Sequence, residues 1–162
     1  MPESAVLEKA RRAGELLLRH HIMIVTAESC TGGLVATALT SVAGSSAWFE
    51  RGFITYSNAA KLEQLDVPVE VLHEHGAVSE QVVLAMARGA IEHSQAHVSV
   101  SVSGVAGPDG GTADKPVGTV WIGWGQKLGY AEARCFHFSG DREAVRQAAA
   151  EAALDGVIAR LS

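Results

Sequence analysis

The segment that decides the fold is IMIVTAESCTGGLVATAL, residues 22–39. It begins with an apolar run typical of a buried strand and ends, over residues 34–39, with the apolar spacing of a helix. The turn between them contains Ser29, and the small residues 31–33 leave room for a ligand to approach the backbone. A helix N-terminus there would present unpaired N–H groups and the positive end of the macrodipole. The turn alone favours a Ser29 or Thr31 that only caps the helix, and it leaves open a catalytic or ligand-binding site, for which other residues must argue.

The composition is that of a mildly acidic globular domain. The chain has 162 residues, enough for one domain with a sizeable core, and 48% of them are hydrophobic. Its net charge of −5 provides no electrostatic footprint for nucleic acid, and no apolar stretch approaches the roughly 18 residues that span a membrane. Cys30 and Cys135 form neither a C-x-x-C pair nor a zinc pattern. Because there is no signal peptide or disulfide framework, we expect a cytoplasmic protein that binds neither nucleic acid nor membranes.

Apolar spacing and turn residues divide the chain into alternating helices and strands. Helices are predicted at residues 5–20, 30–42, 58–65, 79–94 and 141–160, and strands at 22–27, 51–56, 98–102, 119–124 and 131–138. Val67-Pro68 ends the third helix because proline disfavours a helical predecessor. Helices alternate with strands early and a hairpin through residues 125–130 follows late, so we expect a mixed, mostly parallel sheet with helices on both faces. The prediction is a single three-layer α/β/α domain over residues 1–162.

Three residues near the ends of the first two strands could carry chemistry: Ser29, Tyr56 and Lys61. Loops at the carboxyl ends of parallel strands converge on the ligand site of α/β proteins, so Ser29 and Tyr56 would open onto one rim. A serine attacks when a base removes its proton, and burial can lower the pKa of a lysine until it is such a base. Tyr56 would then relay a proton or hold the lysine in position. The alternatives are a half-buried strand aromatic at Tyr56 and a solvated charge at Lys61.

A glycine-rich loop follows the predicted strand 98–102. Ser103, Gly104 and Gly107 belong to it, and its backbone N–H groups have little side-chain obstruction, which suits a phosphate or a carboxylate. Arg142, at the start of the last helix, could pair bidentately with the same anion. The alternatives are a flexible connection for the loop and an ordinary surface arginine at Arg142.

The histidines do not predict a metal site. They are His20, His21, His73, His75, His93, His97 and His137. His73-x-His75 has a suggestive spacing, but no carboxylate or cysteine at a matching interval supports it. We expect these histidines in surface or loop positions. Cys30 lies beside Ser29, and as a small residue at a helix start it is expected to be buried rather than nucleophilic.

Four motifs of the sequence follow one another in the same order as in one known protein family. They are TAESCTGG at residues 26–33, GFITYSNAAK at 52–61, SGVAGPDGG at 103–111 and KPVGTVW at 115–121. Together they closely resemble the C-terminal domain of the CinA competence-damage-inducible proteins, a domain that also exists alone as a nicotinamide-nucleotide amidohydrolase. The resemblance covers nearly the whole chain. Larger members of the family carry a preceding domain that resembles molybdopterin-binding proteins.

This resemblance implies hydrolysis of the carboxamide of nicotinamide mononucleotide to nicotinic acid mononucleotide and ammonia, a step of pyridine nucleotide recycling. It implies Ser29 as nucleophile, Lys61 as general base and Tyr56 as the partner of the lysine, with no metal or organic cofactor. Backbone N–H groups of residues 31–33 would bind the developing oxyanion. We expect the small-molecule nucleotide substrate to be bound by Thr31, Gly32, Gly33, Ser103, Gly104, Gly107 and Arg142. A homodimer is compatible with so small a domain.

Two other functions are compatible with parts of the pattern. A domain of the same fold could bind a nucleotide without hydrolysing it, although the complete set of Ser29, Tyr56 and Lys61 argues against this. A nicotinamide-dependent oxidoreductase could use Tyr56 and Lys61, but such reductases usually space the two residues more closely, on one helix, than the five positions found here. The first turn also lacks G-x-G-x-x-G. Free ammonia would indicate deamidation, and an absorbance change of reduced cofactor would indicate hydride transfer.

Overall fold

Five strands and six α-helices follow one another along the chain, and the structure, a computed structural model, describes all residues from Met1 to Ser162. The strands are β1 (Ile24–Glu28), β2 (Phe49–Ile54), β3 (Val98–Gly104), β4 (Thr119–Gln126) and β5 (Ala131–His137). The helices are α1 (Ser4–His20), α2 (Leu34–Thr40), α3 (Asn58–Leu65), α4 (Val69–His75), α5 (Glu80–Glu92) and α6 (Arg142–Leu161). Short 3₁₀ turns lie at Ser45–Ala47 and Lys127–Gly129.

All five strands form one mixed sheet in the order β2-β1-β3-β4-β5. Strand β1 pairs in parallel with β2 on one side and β3 on the other, while β4 is antiparallel to both β3 and β5. Four strands therefore point in the same direction and β4 alone runs against them, which confirms the predicted mixed, mostly parallel sheet. The carboxyl ends of β1, β2 and β3 meet at one edge of the sheet, with β1 in the middle.

Helices cover both faces of this sheet, as predicted. Helices α1, α2 and α6 pack on one face and enclose a hydrophobic cluster that includes Leu17, Val100 and Leu154. Helices α3, α4 and α5 lie on the other face and enclose a second cluster around Val25 and Met86. Burial of these apolar side chains is the main favourable contribution to folding. The result is a three-layer α/β/α domain.

Helix α5 approaches the sheet and α3 unusually closely, because small residues face it. Ser99 and Ser101 are buried on β3 and donate hydrogen bonds to helix carbonyls, the second to Val83 O at 2.7 Å. On β4, a Cβ at Gly123 would lie 2.8 Å from the same carbonyl oxygen. A Cβ at Gly89 would collide with the carbonyl of Leu65 at the end of α3. The strict alternation of valine and serine thus indicated a strand with an apolar face and a face adapted to a helix.

Most element boundaries differ from the prediction by one or two residues, and β1, for example, starts at Ile24 rather than residue 22. Helix α2 starts at Leu34 rather than residue 30, because Gly32 and Gly33 have φ of +58° and +101° and extend the turn. Strand β2 begins and ends two residues earlier than expected. Helix α4 was not predicted: Pro68 was taken only as the end of α3, whereas it also precedes α4 as its N-cap, and proline's fixed φ is compatible with a helix start. None of the helices is long and apolar enough to cross a membrane.

Candidate active site

Ser29 directly follows the central strand β1. Its N–H continues the strand pairing by donating to Val102 O of β3 at 2.9 Å, and its own carbonyl accepts the Gly32 N–H at 3.0 Å, which closes the turn. The hydroxyl of Ser29 donates to the carbonyl of Tyr56 at 3.3 Å. Helix α2 has Gly33 as its N-cap and no side-chain cap. The capping alternative for Ser29 and Thr31 is therefore wrong.

Lys61 lies opposite Ser29, on the first turns of α3. The helix begins after Ser57, whose hydroxyl oxygen accepts the N–H of Ala60 at 3.0 Å, so Lys61 points back toward the sheet edge. Its side chain is 1% exposed. Its Nζ lies 3.0 Å from Ser29 Oγ, 3.0 Å from Thr55 O and 3.0 Å from Tyr56 O. The alternative of a solvated surface charge is therefore wrong for Lys61.

The surroundings of Lys61 favour a neutral amine. Burial lowers the pKa of Lys61 because the charged form loses its hydration, and no carboxylate forms an ion pair with it. Burial also raises the pKa of the Cys30 thiol to about 11, so this neighbour stays uncharged at neutral pH. A neutral amine has two N–H donors and one lone pair. The carbonyls of Thr55 and Tyr56 take the donors, which leaves the lone pair to accept the hydroxyl proton of Ser29 when that proton turns from Tyr56 O toward Lys61 Nζ.

Tyr56 contributes its main chain and its side chain to different parts of the site. Its carbonyl accepts from Lys61 Nζ and from Ser29 Oγ, so the main chain holds the lysine in position. Its ring is 61% exposed, which excludes the half-buried strand aromatic. Its hydroxyl accepts from Arg142 Nη2 at 3.2 Å and makes no hydrogen bond with Lys61. Tyr56 thus contacts Ser29 and Lys61 through its main-chain carbonyl and not through its phenol hydroxyl.

Arg142 connects the loops that follow β2 and β3. Besides Tyr56, its guanidinium donates to the carbonyl of Gly107 at 2.7 Å. Gly107 has φ of +83°, and Gly104 packs so closely on β4 that a Cβ would lie 2.8 Å from Thr119 O. The loop is also tied at Lys115, whose Nζ donates to His75 O at 2.6 Å. These contacts do not support a flexible connection or an unattached surface arginine.

The remaining predicted binding residues gather at the same edge, with most of their side chains turned inward. Ser103 is 2% exposed and is the second-last residue of β3, the strand that pairs with β1 directly before Ser29. Thr31 is fully buried and its hydroxyl donates to Glu28 Oε1 at 2.7 Å. The N–H of Gly32 is used by Ser29 O, and that of Gly33 faces the carboxylate of Glu28. Thr31 is thus the residue of 31–33 whose N–H has no protein acceptor.

Glu28 was not predicted as a site residue. It is 1% exposed, and its carboxylate accepts the Val35 N–H at 2.9 Å and the Ala36 N–H at 3.0 Å, in addition to the Thr31 hydroxyl. Burial raises the pKa of Glu28, and the hydrogen bonds counteract that increase. The side chain takes the place of an N-cap for α2 and holds the turn that carries Ser29. The sequence signal was an acidic residue at the end of an otherwise apolar strand.

Arg146 is the second residue that the sequence interpretation missed. It donates from Nε to Cys30 O at 3.2 Å and from Nη2 to Thr31 O at 3.1 Å, and Nη1 lies 3.3 Å from Glu143. Because N–H and C=O of a trans peptide point in opposite directions, the Thr31 N–H is directed away from this guanidinium. Arg146 lies one helical turn after Arg142, a spacing that places both on one face of α6.

A cleft of about 620 Å³ opens between this face of α6 and the glycine-rich loop. Arg142 and Arg146 line one wall, and Ala106, Pro108 and Val117 line the other. The two guanidiniums supply donors for an anionic group, and the carboxylates of Asp141 and Glu143 lie in the same lining, with Glu143 paired to Arg146. No group of three or more His, Cys, Asp or Glu side chains in the chain is arranged to hold a metal ion.

The fold and the buried serine–lysine pair define an α/β enzyme with its polar residues at the carboxyl edge of the sheet. Residues 7–161 match the CinA C-terminal domain, and the chain belongs to this family.

Relatives with known names support the same assignment. The chain is 56% identical to the nicotinamide-nucleotide amidohydrolase PncC of Pseudomonas putida over 150 residues, which cover 92% of each protein. It is 51% identical to the protein of that name from Escherichia coli K12 over 154 residues, 95% of this chain and 93% of that one. The crystal structure of the competence/damage inducible protein CihA from Agrobacterium tumefaciens has a TM-score of 0.95 at 43% identity, with coverage of 98% and 97%. The predicted family and fold are confirmed, and the chain is a hydrolase.

Proposed function

We propose that the protein hydrolyses the carboxamide of nicotinamide mononucleotide, giving nicotinic acid mononucleotide and ammonia. The observation that carries this proposal is the 3.0 Å contact between Lys61 Nζ and Ser29 Oγ at a buried position where no carboxylate pairs with the amine. The names of the relatives supply the substrate. The fold supplies the position, because the pair lies where the strands β1, β2 and β3 end together.

The first half of the reaction forms an ester between the substrate and Ser29. Neutral Lys61 takes the hydroxyl proton as Ser29 Oγ attacks the amide carbon, which produces a tetrahedral intermediate. The protonated lysine then gives its proton to the amide nitrogen, and ammonia leaves. In the second half, Lys61 takes a proton from water, the hydroxide attacks the ester carbon, and Ser29 recovers its proton as the carboxylate product forms. The two halves balance without a further reactant.

The developing oxyanion needs backbone donors that are not already used. Gly32, one of the expected donors, gives its N–H to Ser29 O, and Gly33 is directed toward Glu28. The N–H groups of Cys30 and Thr31 donate to no protein acceptor, and they are the first two after the nucleophile. We therefore assign the oxyanion to Cys30 and Thr31, each worth about 3 kcal/mol of transition-state stabilisation by analogy with measured donors.

The phosphate of the substrate would lie in the cleft beside α6. Arg142 retains N–H groups beyond the two that bind Tyr56 and Gly107, and Arg146 lies one turn further along the same wall. With the carboxamide at Ser29, the ribose would bridge the nucleophile and this basic wall. The same arrangement does not support an oxidoreductase, because the hydroxyl of Tyr56 is bonded to Arg142 and is not paired with Lys61.

The decisive experiment measures ammonia release from nicotinamide mononucleotide by the wild type and by Ser29→Ala. Ser41→Ala is the matched control, since Ser41 is an exposed serine at the end of α2. Release by the wild type and by Ser41→Ala, but not by Ser29→Ala, is the expected result. Equal release by Ser29→Ala would overturn the nucleophile. Binding of the mononucleotide without release by the wild type would establish the non-hydrolysing nucleotide-binding domain instead.

A further inference from the structure

The side chain of Tyr56 crosses the site from one loop to another. In the sheet, β1 lies between β2 and β3. Tyr56 follows β2 and Gly107 follows β3, yet the guanidinium of Arg142 binds both, at 3.2 Å to the Tyr56 hydroxyl and 2.7 Å to the Gly107 carbonyl. The Tyr56 side chain and Arg142 therefore form a bridge over the end of β1, where the turn with Ser29 lies.

The phenol hydroxyl has no place in the proton transfer of Lys61. A neutral lysine offers two N–H donors and one lone pair, and Thr55 O, Tyr56 O and Ser29 Oγ fill these three positions. The hydroxyl of Tyr56 is occupied elsewhere, by Arg142. What Tyr56 offers to the site is its ring, 61% exposed and fixed at its far end by a guanidinium.

We propose that the ring of Tyr56 is the surface against which the cationic pyridinium ring of the substrate stacks, so that Tyr56 selects charged over uncharged nicotinamides. This inference rests on the proposed function, because the substrate ring follows from the amide that Ser29 attacks. The pyridinium ring of the substrate is one bond away from the carboxamide carbon that Ser29 attacks. The main-chain carbonyl oxygen of Tyr56 lies 3.3 Å from Ser29 Oγ, so residue 56 borders the reacting group. The two rings are therefore within reach of each other.

The charge of the substrate makes this contact selective. An aromatic face attracts a cation, and in a partly desolvated site the attraction corresponds to about five- to thirtyfold in affinity. Arg142, at the hydroxyl end of the ring, repels the pyridinium, and the substrate phosphate beside Arg142 and Arg146 compensates for this. A reduced, uncharged dihydropyridine has nearly the same shape and loses only the attraction to the ring.

Two substitutions distinguish the contribution of the Tyr56 ring from that of its hydroxyl. Tyr56→Phe keeps the aromatic face and removes the hydroxyl, whereas Tyr56→Leu removes both; neither changes the main-chain carbonyl that holds Lys61. We expect KM to be about five- to thirtyfold higher for Tyr56→Leu than for Tyr56→Phe, with a smaller difference in kcat between the two variants. Because the side chain is exposed, both variants should fold, and circular dichroism checks this.

A binding experiment reports on the charge directly. Dissociation constants of oxidised and reduced nicotinamide mononucleotide are measured by calorimetry in the Ser29→Ala background, alone and combined with each Tyr56 substitution. The preference for the oxidised, cationic form should be about fivefold or more with Tyr or Phe at position 56 and should disappear with Leu. A merely structural role of Tyr56 would lower both affinities together.

The outcomes distinguish this proposal from the proposed function. If Tyr56→Phe loses turnover as completely as Tyr56→Leu while binding is unchanged, the hydroxyl acts in the chemistry and the stacking role is overturned. An unchanged preference in Tyr56→Leu also overturns it. If the wild type binds the mononucleotide but releases no ammonia, the proposed function fails, and the preference between the two forms still decides the role of the ring.

Discussion

Replacing Lys61 by methionine should abolish ammonia release and at the same time stabilise the protein. The amine is 1% exposed, and burial lowers its pKa because the charged form loses its hydration. In the unfolded chain the same amine is protonated at pH 7. Folding of a protein that uses Lys61 as a base must therefore remove a proton, whereas methionine has a similar length and requires no such step.

The expected magnitude follows from two opposing contributions. Keeping a lysine neutral at pH 7 costs the folded state at most about 5 kcal/mol, since its ordinary pKa is about 10.4 and each unit corresponds to about 1.4 kcal/mol. Methionine leaves Thr55 O without its donor, at about 1–3 kcal/mol, while Tyr56 O keeps the hydroxyl of Ser29. We expect Lys61→Met to raise the free energy of unfolding at pH 7, by at most about 4 kcal/mol.

The pH dependence of stability gives a second, independent readout. Because the folded pKa of Lys61 lies below the unfolded one, the unfolded state binds more protons between these two values. The free energy of unfolding of the wild type therefore rises with pH in that window, by at most about 1.4 kcal/mol per unit, and is free of this effect below it. Lys61→Met lacks this slope. Urea denaturation followed by circular dichroism between about pH 7 and pH 10 measures both quantities.

Lys9→Met is the matched control with the opposite sign. A hydrogen bond with Asp155 raises the pKa of Lys9, so this lysine stabilises the fold below its unfolded pKa and loses that effect as pH rises through the folded value. Its replacement should not stabilise the protein. A Lys61→Met protein that is less stable than the wild type at pH 7 and keeps the same slope would refute a buried neutral amine.

Changes at four other points test the remaining parts of the site. Glu28→Gln should lower kcat about a hundredfold with little change in KM, because the substitution disturbs the turn that places Ser29. Steady-state ammonia release measures both constants, and an unchanged kcat would contradict this role of Glu28. The ratio kcat/KM should fall as pH is lowered through the folded pKa of Lys61, since the protonated amine accepts no proton, and a pH series that stays flat would contradict this. Cys30→Ala should retain activity in the same assay, because burial raises the thiol pKa to about 11, and an inactive but folded variant would reopen the question of the nucleophile. If Arg142 binds the phosphate, Arg142→Met should raise KM for the mononucleotide about ten- to a hundredfold and KM for the riboside, which has no phosphate, much less. Equal effects on the KM values of both substrates would place the phosphate elsewhere.

Local patterns predicted the fold well, because each depends on neighbouring residues. The apolar run before Ser29 and the spacing after Gly33 determine β1, the turn and α2, and the alternation of valine and serine determines β3. Helix α4 was missed because a single proline can end one helix and precede another. Nothing within a few residues of Pro68 distinguishes these two cases.

The sequence predicted which residues of the candidate site lie together better than it predicted their contacts. Ser29 and Tyr56 were expected to open onto one rim, with Lys61 as the base, and Lys61 Nζ lies 3.0 Å from Ser29 Oγ. The partner of the Tyr56 hydroxyl is Arg142, 86 residues further along the chain, and is determined by how α6 packs. Contacts of that kind depend on tertiary packing, which the spacing of motifs does not contain.

The close packing of α5 against β3, β4 and α3 holds Lys61 in position relative to Ser29. It also means that some parts of the protein tolerate larger side chains and others do not. A side chain at Gly89 would collide with the carbonyl of Leu65 and displace α3, and with it Lys61, relative to Ser29. A side chain at Gly123 would collide with the Val83 carbonyl of α5. The glycine-rich loop is constrained in the same way at Gly104 and Gly107, whereas the exposed face of α6 is not. New substrate preferences can therefore arise by changes on that face of α6, while an enlarged residue at Gly89, far from any ligand, would displace Lys61 and lower activity.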